Sequence, residues 1–211
     1  MKKRIILIIA AWFVLAPRAY AEEVKAGLKT GLNVTTFIGS DASPGDVGKV
    51  QKSGLVAGGY VIIPVNKQVK VQAECLVSVK GAIYKWEVLD TVYEEILNLT
   101  YLEIPVLARF DIETRSAAKP AILIGPAFGI KISARGEYRS IGASSSGDLD
   151  HIKTFDPGLV LGGVVDIVSG KGKVSLEARY TMGLATISES SGGSTPDIRN
   201  SAASVIFGYQ F

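Results

Sequence analysis

The dominant period along this chain is two. Over residues 69–80, Val69, Val71, Ala73, Cys75, Val77 and Val79 share one parity, and Lys70, Gln72, Glu74, Leu76, Ser78 and Lys80 share the other. Successive side chains of an extended strand point to opposite faces, so this segment reads as a strand with one apolar and one largely polar face. Residues 174–183 repeat it, with Val174, Leu176, Ala178, Tyr180 and Met182 against Ser175, Glu177, Arg179 and Thr181. Over 122–135, Ile122, Ile124, Phe128, Ile130 and Ile132 oppose Gly125, Gly129, Lys131, Ser133 and Arg135. The pattern predicts eight strands, at about 24–38, 54–65, 68–83, 97–113, 119–136, 154–168, 173–187 and 201–211. No stretch carries a helical period.

The connectors alternate in length. Asn66-Lys67, residues 114–118 and residues 169–172 are short; 39–53, 84–96, 137–153 and 188–200 are long and polar. Short turns at one end and long loops at the other are the plan of an outer-membrane barrel, with turns in the periplasm and loops outside. The expected fold is therefore all-β: an eight-stranded antiparallel up-and-down transmembrane β-barrel. Beyond the first twenty residues the longest apolar runs, 54–65 and 121–130, are too short for a helical span. A membrane also demands that every backbone polar group be paired, which a closed barrel achieves.

A barrel in lipid turns its oily face outward. Lys25, Lys29, Lys70, Glu74, Lys80, Glu103, Arg109, Asp111, Lys131, Arg135, Asp156, Asp166, Glu177 and Arg179 all take the polar parity and are expected in the lumen. Eight strands leave an interior just wide enough for side chains to fill. These near-balanced charges are expected to form a network of ion pairs that plugs the barrel. A slip of one residue would turn the whole set toward lipid, so the register should be strongly fixed.

The two ends add to this picture. Lys2, Lys3 and Arg4 precede an apolar stretch from Ile5 to Ala16, and Ala19-Tyr20-Ala21 places small residues where a signal peptidase reads them. Residues 1–21 are expected to be a signal peptide and 22–211 the barrel domain. The remaining chain would hold 19 basic and 20 acidic residues, which removes any charge argument for a nucleic-acid partner. At the other end Val205, Phe207, Tyr209 and Phe211 alternate to a terminal aromatic. They suit the periplasmic aromatic girdle. They also look like the C-terminal signal that the barrel-assembly machinery reads, which makes that machinery an expected partner during insertion.

Five segments carry a family resemblance: GLKTGLN at 27–33, VQAECLVSVKGA at 71–82, YLEIPVLARF at 101–110, GPAFGI at 125–130 and EARYTMGL at 177–184. Together they resemble the PorT-type outer-membrane β-barrel family of Bacteroidetes-like bacteria. The resemblance implies an eight-stranded barrel in the outer membrane and transfers no catalytic motif. Its founding member is tied to protein secretion, which sets an accessory role in secretion or the envelope as the alternative to a structural or surface-interaction role.

Other chemistry is thinly supplied. Cys75 is the only cysteine and His151 the only histidine, so no intramolecular disulfide, metal site or cofactor is expected. His151 lies near Ser144, Ser145, Ser146, Asp148 and Asp150 at the expected outer rim, where a Ser/His/Asp set would suit lipid acyl chemistry. The Ser-rich surroundings read instead as a loop. Asp90-Thr91-Val92 matches an O-glycosylation triplet in an expected external loop. Tyr84, Trp86 and Tyr93 of that loop are the expected contact surface, or interface aromatics. The expected surroundings are outer-membrane lipid and lipopolysaccharide, with the chain a monomer. A narrow channel and a rim-sited lipid-modifying enzyme complete the alternatives.

Overall fold

The computed structural model describes residues 23–211 except 44, 46 and 191–193. The expected signal peptide and its cleavage residues, Ala19 and Ala21, lie outside the described residues. Ten strands form: β1 (Lys25–Ile38), β2 (Gly48–Val50), β3 (Lys52–Pro64), β4 (Val69–Val88), β5 (Thr91–Asp111), β6 (Ala118–Ser140), β7 (Ala143–Asp148), β8 (Phe155–Ser169), β9 (Gly172–Gly183) and β10 (Arg199–Gln210). Eight of them close a ring in which each pairs antiparallel with its chain neighbour: β1, β3, β4, β5, β6, β8, β9, β10 and back to β1. The two short strands lie on the outer ends of the wall, β2 against β4 and β7 against β6. Closure leaves the eight-stranded ring itself without an edge, which is what a sheet in hydrocarbon requires.

The turns at the periplasmic end are local in origin. The Asn66 side chain accepts hydrogen bonds from the backbone N–H groups of Gln68 (2.9 Å) and Val69 (2.8 Å), and the Val69 carbonyl accepts from the N–H groups of Val65 and Asn66, both at 3.0 Å, closing the β3–β4 turn. Gly170, at φ +61°, makes the two-residue link between Ser169 and Gly172. At the other end the walls are unequal. β1, β3, β8, β9 and β10 run 12–15 residues, whereas β4, β5 and β6 run 20, 21 and 23. A tilted strand crosses a bilayer in about 9–11 residues, so these three stand far above it.

That extension corrects the expected second loop. Residues 84–96 are a continuous hairpin, not a loop, turning only at Leu89-Asp90, whose φ angles are +49° and +62°. Two left-handed residues match the twist of the flanking strands, as in a type I′ turn. Likewise β6 continues to Ser140, and the expected loop 137–153 contains β7.

The faces divide by parity. Leu28, Leu32, Leu55, Val77, Ile124, Phe128, Leu161, Leu176, Val205 and Phe207 are exposed around the outside, whereas Lys29, Glu74, Lys80, Glu103, Arg109, Asp156, Asp166, Glu177 and Arg179 are buried within. A soluble chain does not hold a contiguous apolar surface of that extent in water.

One expected lumen residue is placed wrongly by simple alternation. The β5–β6 register pairs Thr100 with Ser133 and then Tyr101 with Lys131, leaving Ile132 as an extra residue. This β-bulge reverses the parity of everything above it. Arg135 therefore points outward, with a side chain 72% exposed beside Asp148 of β7 at 3.4 Å.

Candidate functional site

The lumen is filled in tiers. At the periplasmic end Arg109 donates to Asp166 and to Asp111, both at 2.7 Å, and Lys70 pairs with Asp111 at 2.8 Å. Midway, Lys29 reaches Glu74 (2.8 Å) and Glu177 (2.7 Å), while Arg179 reaches the same two acids at 2.7 and 3.2 Å. Gln72 donates to Glu74 at 2.6 Å. Above them Asn33 donates to Ser78 and accepts from Ser204. Higher still, Lys80 bridges Glu103 (2.5 Å) and Asp156 (3.3 Å), and Asn200 donates to Asp156 at 2.8 Å. Buried charges are tolerated only with opposite charge and hydrogen bonds close by, and each tier supplies both.

Alternation of small and large residues makes room for these groups. A Cβ at Gly162 would stand 2.6 Å from the Cβ of Arg179, and one at Gly27 would stand 2.6 Å from the Tyr60 ring. Tyr60 in turn lies under the Lys29 ammonium, 4.8 Å from ring centre, and Tyr101 under that of Lys80 at 5.3 Å. Apolar side chains fill the remainder: Leu107, Ala121, Leu123, Ala127, Val160 and Val164 on one side, and Val56, Leu76 and Ile206 on the other.

Two further expected members are peripheral. Lys131 sends its ammonium to the Ile152 carbonyl of the outer loops and joins no ion pair among the described residues. Lys25 pairs with Glu23 at the exposed periplasmic mouth. Lys52, Tyr60, Asn33 and Asn200 are lumen residues that alternation did not single out. Lys52 precedes the apolar run that marks its strand, and for the others an uncharged polar side chain gives no parity signal.

Above the ion pairs the barrel opens into an apolar chamber. Phe37, Ala42, Ala82, Tyr84, Leu99, Tyr101, Ala134 and Ile187 form its buried base, with Val47, Trp86, Leu97, Leu149, Ile152 and Ile198 packed around them. A cavity of about 540 Å³ remains, lined by Phe37, Val47, Tyr84, Trp86, Leu97 and Ile187 among others, and by the acids Asp41, Glu87 and Glu95. The hairpin builds its tall wall. Pairing of Tyr84 with Glu95 and of Trp86 with Tyr93 puts all four on one face, and the Trp86 and Tyr93 rings stack at 6.0 Å and 11°. The Tyr84 hydroxyl donates to the Ala42 carbonyl at 3.0 Å, tying the first loop to this wall. Burial and the nearby Glu95 charge push the Tyr84 phenol above its ordinary range. The hydrogen bond to Glu95, then burial, do the same for Tyr138. Both phenols stay protonated donors at neutral pH.

The remaining expected residues are accounted for as follows. Phe207, Tyr209 and Phe211 face outward near the periplasmic end, with Tyr209 and Phe211 edge to face at 5.7 Å. His151 is exposed, and its backbone carbonyl accepts from Glu189. Ser144, Ser145 and Ser146 are held in β7 opposite Arg139, Tyr138 and Glu137. Thr91 follows the hairpin tip, and Cys75 is exposed on the outer face of β4.

A closed ring of eight strands, oily outside and ionic within, defines a small transmembrane β-barrel. The chain belongs to the family described as outer membrane protein beta-barrel domain, whose model matches residues 17–189, and it resides in the outer membrane. A search of curated proteins finds no match. Among solved structures, the chain is similar to Ail, the attachment invasion locus protein of Yersinia pestis, in complex with the heparin analogue sucrose octasulfate. That match has 15% identity over 90% of this chain and 100% of the other, with a TM-score of 0.42. It is similar also to Neisserial surface protein A (13%, 90% and 100%, TM-score 0.43). Outer membrane protein OprG of Pseudomonas aeruginosa matches at 9%, over 89% and 94%, with a TM-score of 0.42.

Proposed function

We propose that this barrel is a closed anchor for a surface-interaction site, and that the site is the chamber at its extracellular mouth. The observation that carries this reading is the tiered filling of the lumen beneath an open apolar cavity. Lys29, Glu74, Glu177 and Arg179 span the barrel midway, each side chain at most 3% exposed. A solute crossing would have to separate these pairs, leaving unpaired charge in a dry interior. The chamber above is of the size that small-molecule sites take, and its walls are apolar with a few placed polar groups.

The role is non-catalytic in this reading, because the only histidine is at the exposed rim and the rim serines are engaged in β7. The chain acts as a monomer, with outer-membrane lipid and lipopolysaccharide around its wall and the barrel-assembly machinery as its partner during insertion. Planar-bilayer recording tests the closed anchor. Folded protein inserted in the bilayer is expected to give no discrete conductance steps above the bare membrane. Regular ohmic steps would instead make it a channel.

A further inference from the structure

The chamber has a sharply one-sided charge. Asp41 and Glu95 line it, Glu87 stands at its rim with its side chain on the outer parity of the hairpin, and no Lys, Arg or His is among its lining residues. None of those three acids takes part in an ion pair among the described residues. Four of the nearby cations are paired elsewhere: Lys85 with Glu94 at 2.9 Å, Arg139 with Glu137 at 2.8 Å, Arg199 with Asp197 at 3.0 Å and Arg135 with Asp148 at 3.4 Å. Lys49 and Lys131 donate to the backbone carbonyls of the lining residues Phe37 and Ile152, and neither takes part in an ion pair among the described residues. Glu95 is the acid set most deeply. It is half-buried on the hairpin's inner face, directly across from Tyr84 and two residue pairs below the Trp86–Tyr93 stack.

Three features therefore converge on one cavity: a greasy floor, the aromatic rings of Phe37, Tyr84 and Trp86, and carboxylates without a counter-ion. Aromatic faces attract a cation, tryptophan most strongly, and more so where water is displaced. An anion would meet repulsion from Asp41 and Glu95. A neutral apolar molecule would fill the floor but leave the Glu95 charge desolvated with the Tyr138 hydroxyl in place of a counter-ion, which is costly.

Resting on the reading of the chamber as a binding site, we infer that its ligand is a small cationic amphiphile. The apolar body would occupy the space among Phe37, Val47, Leu97 and Ile187. The ammonium group would lie toward Glu95 and the Trp86 ring. The sequence alone could not show this, because the pocket joins the hairpin to residues from three other connectors.

Trp86 provides the readout, since the only other tryptophan, Trp12, lies within the expected signal peptide. The processed full-length barrel, in nanodiscs of phosphatidylcholine, is titrated with 4-phenylbutyl-trimethylammonium and, separately, with 6-phenylhexanoate. Empty nanodiscs provide the correction for partitioning. The cation is expected to shift Trp86 emission saturably, with a midpoint at least about ten-fold lower than the anion. Glu95→Gln is expected to raise the cation's midpoint about ten-fold and leave the anion's unchanged or lower. Calorimetry on the same samples guards against a silent fluorophore. An anion midpoint equal to or below the cation's overturns the charge preference while leaving the chamber as a binding site. A cation titration unaltered by Glu95→Gln overturns the inference in the same way. Neither probe binding by either method overturns the inference and removes the chamber from the proposed function as well, with the conductance result still deciding whether the barrel is a closed anchor.

Discussion

Glu74→Ala is expected to lower the unfolding free energy by about 3–5 kcal/mol, the usual cost of stripping one partner from a buried ion pair. Glu74 accepts from Lys29, Arg179 and Gln72, and its side chain is fully buried. Without it, two cations share the single acid Glu177, and a net positive charge is left in a water-poor interior. Urea unfolding in phospholipid vesicles measures the loss. The paired variant Lys29→Met with Glu74→Met provides the control. It removes one charge of each sign and is expected to recover most of the stability, because a buried ion pair is often matched by apolar residues of similar size. A loss below about 1 kcal/mol for Glu74→Ala would mean that water reaches the quartet, as in an open lumen.

Leu161→Arg is expected to cost roughly 2–4 kcal/mol and to reduce the yield of folded barrel in vesicles, as a charge near the midplane does. Leu161 is 57% exposed and sits between Ile124 and Tyr180 on the outer face. In water such a substitution would be close to neutral, since it removes no contact of weight. The same change at Leu89 gives the comparison. Leu89 is 94% exposed at the hairpin tip, well above the bilayer, and Leu89→Arg is expected to stay within about 0.5 kcal/mol of the parent. Two exposed leucines with opposite responses are the signature of two solvents.

Much of the fold was legible because one physical rule acts on every strand. A side chain facing lipid cannot be charged and one sealed in a narrow lumen is best paired, so period-two alternation marks both strand and orientation. Lys29, Glu74, Glu177 and Arg179 could be assigned to the lumen on that rule alone. It failed where the backbone departs from strict alternation. Alternation places Arg135 inward because nothing in residues 131–135 announces that Ile132 is bulged. The hairpin at 84–96 read as a loop because the outer surface of a strand standing in water need not be apolar, and Lys85, Glu87 and Glu94 break the pattern there.

The apolar tier of the lumen was hidden for another reason. Leu123, Val160 and Val164 lie on the inner parity of strands whose outer parity is equally oily, so no contrast marks them. The chamber was hidden more deeply still. Tyr84, Trp86 and Tyr93 stood out as aromatics in the sequence, but their shared face depends on the hairpin register. Their acidic neighbours depend on connectors that meet only after the ring closes. Local pattern reports the face of a strand; it does not report which loops converge above it.

Cys75 allows the inversion of faces to be tested without introducing a new cysteine. It is the only cysteine, exposed on the outside of β4 beside Gly59, halfway along the apolar row Val71, Ala73, Val77 and Val79. A nitroxide attached there, in vesicles, should collide freely with oxygen, which concentrates in hydrocarbon, and be shielded from a water-soluble nickel chelate. High nickel accessibility with low oxygen accessibility would place this face in water and contradict the account of the barrel.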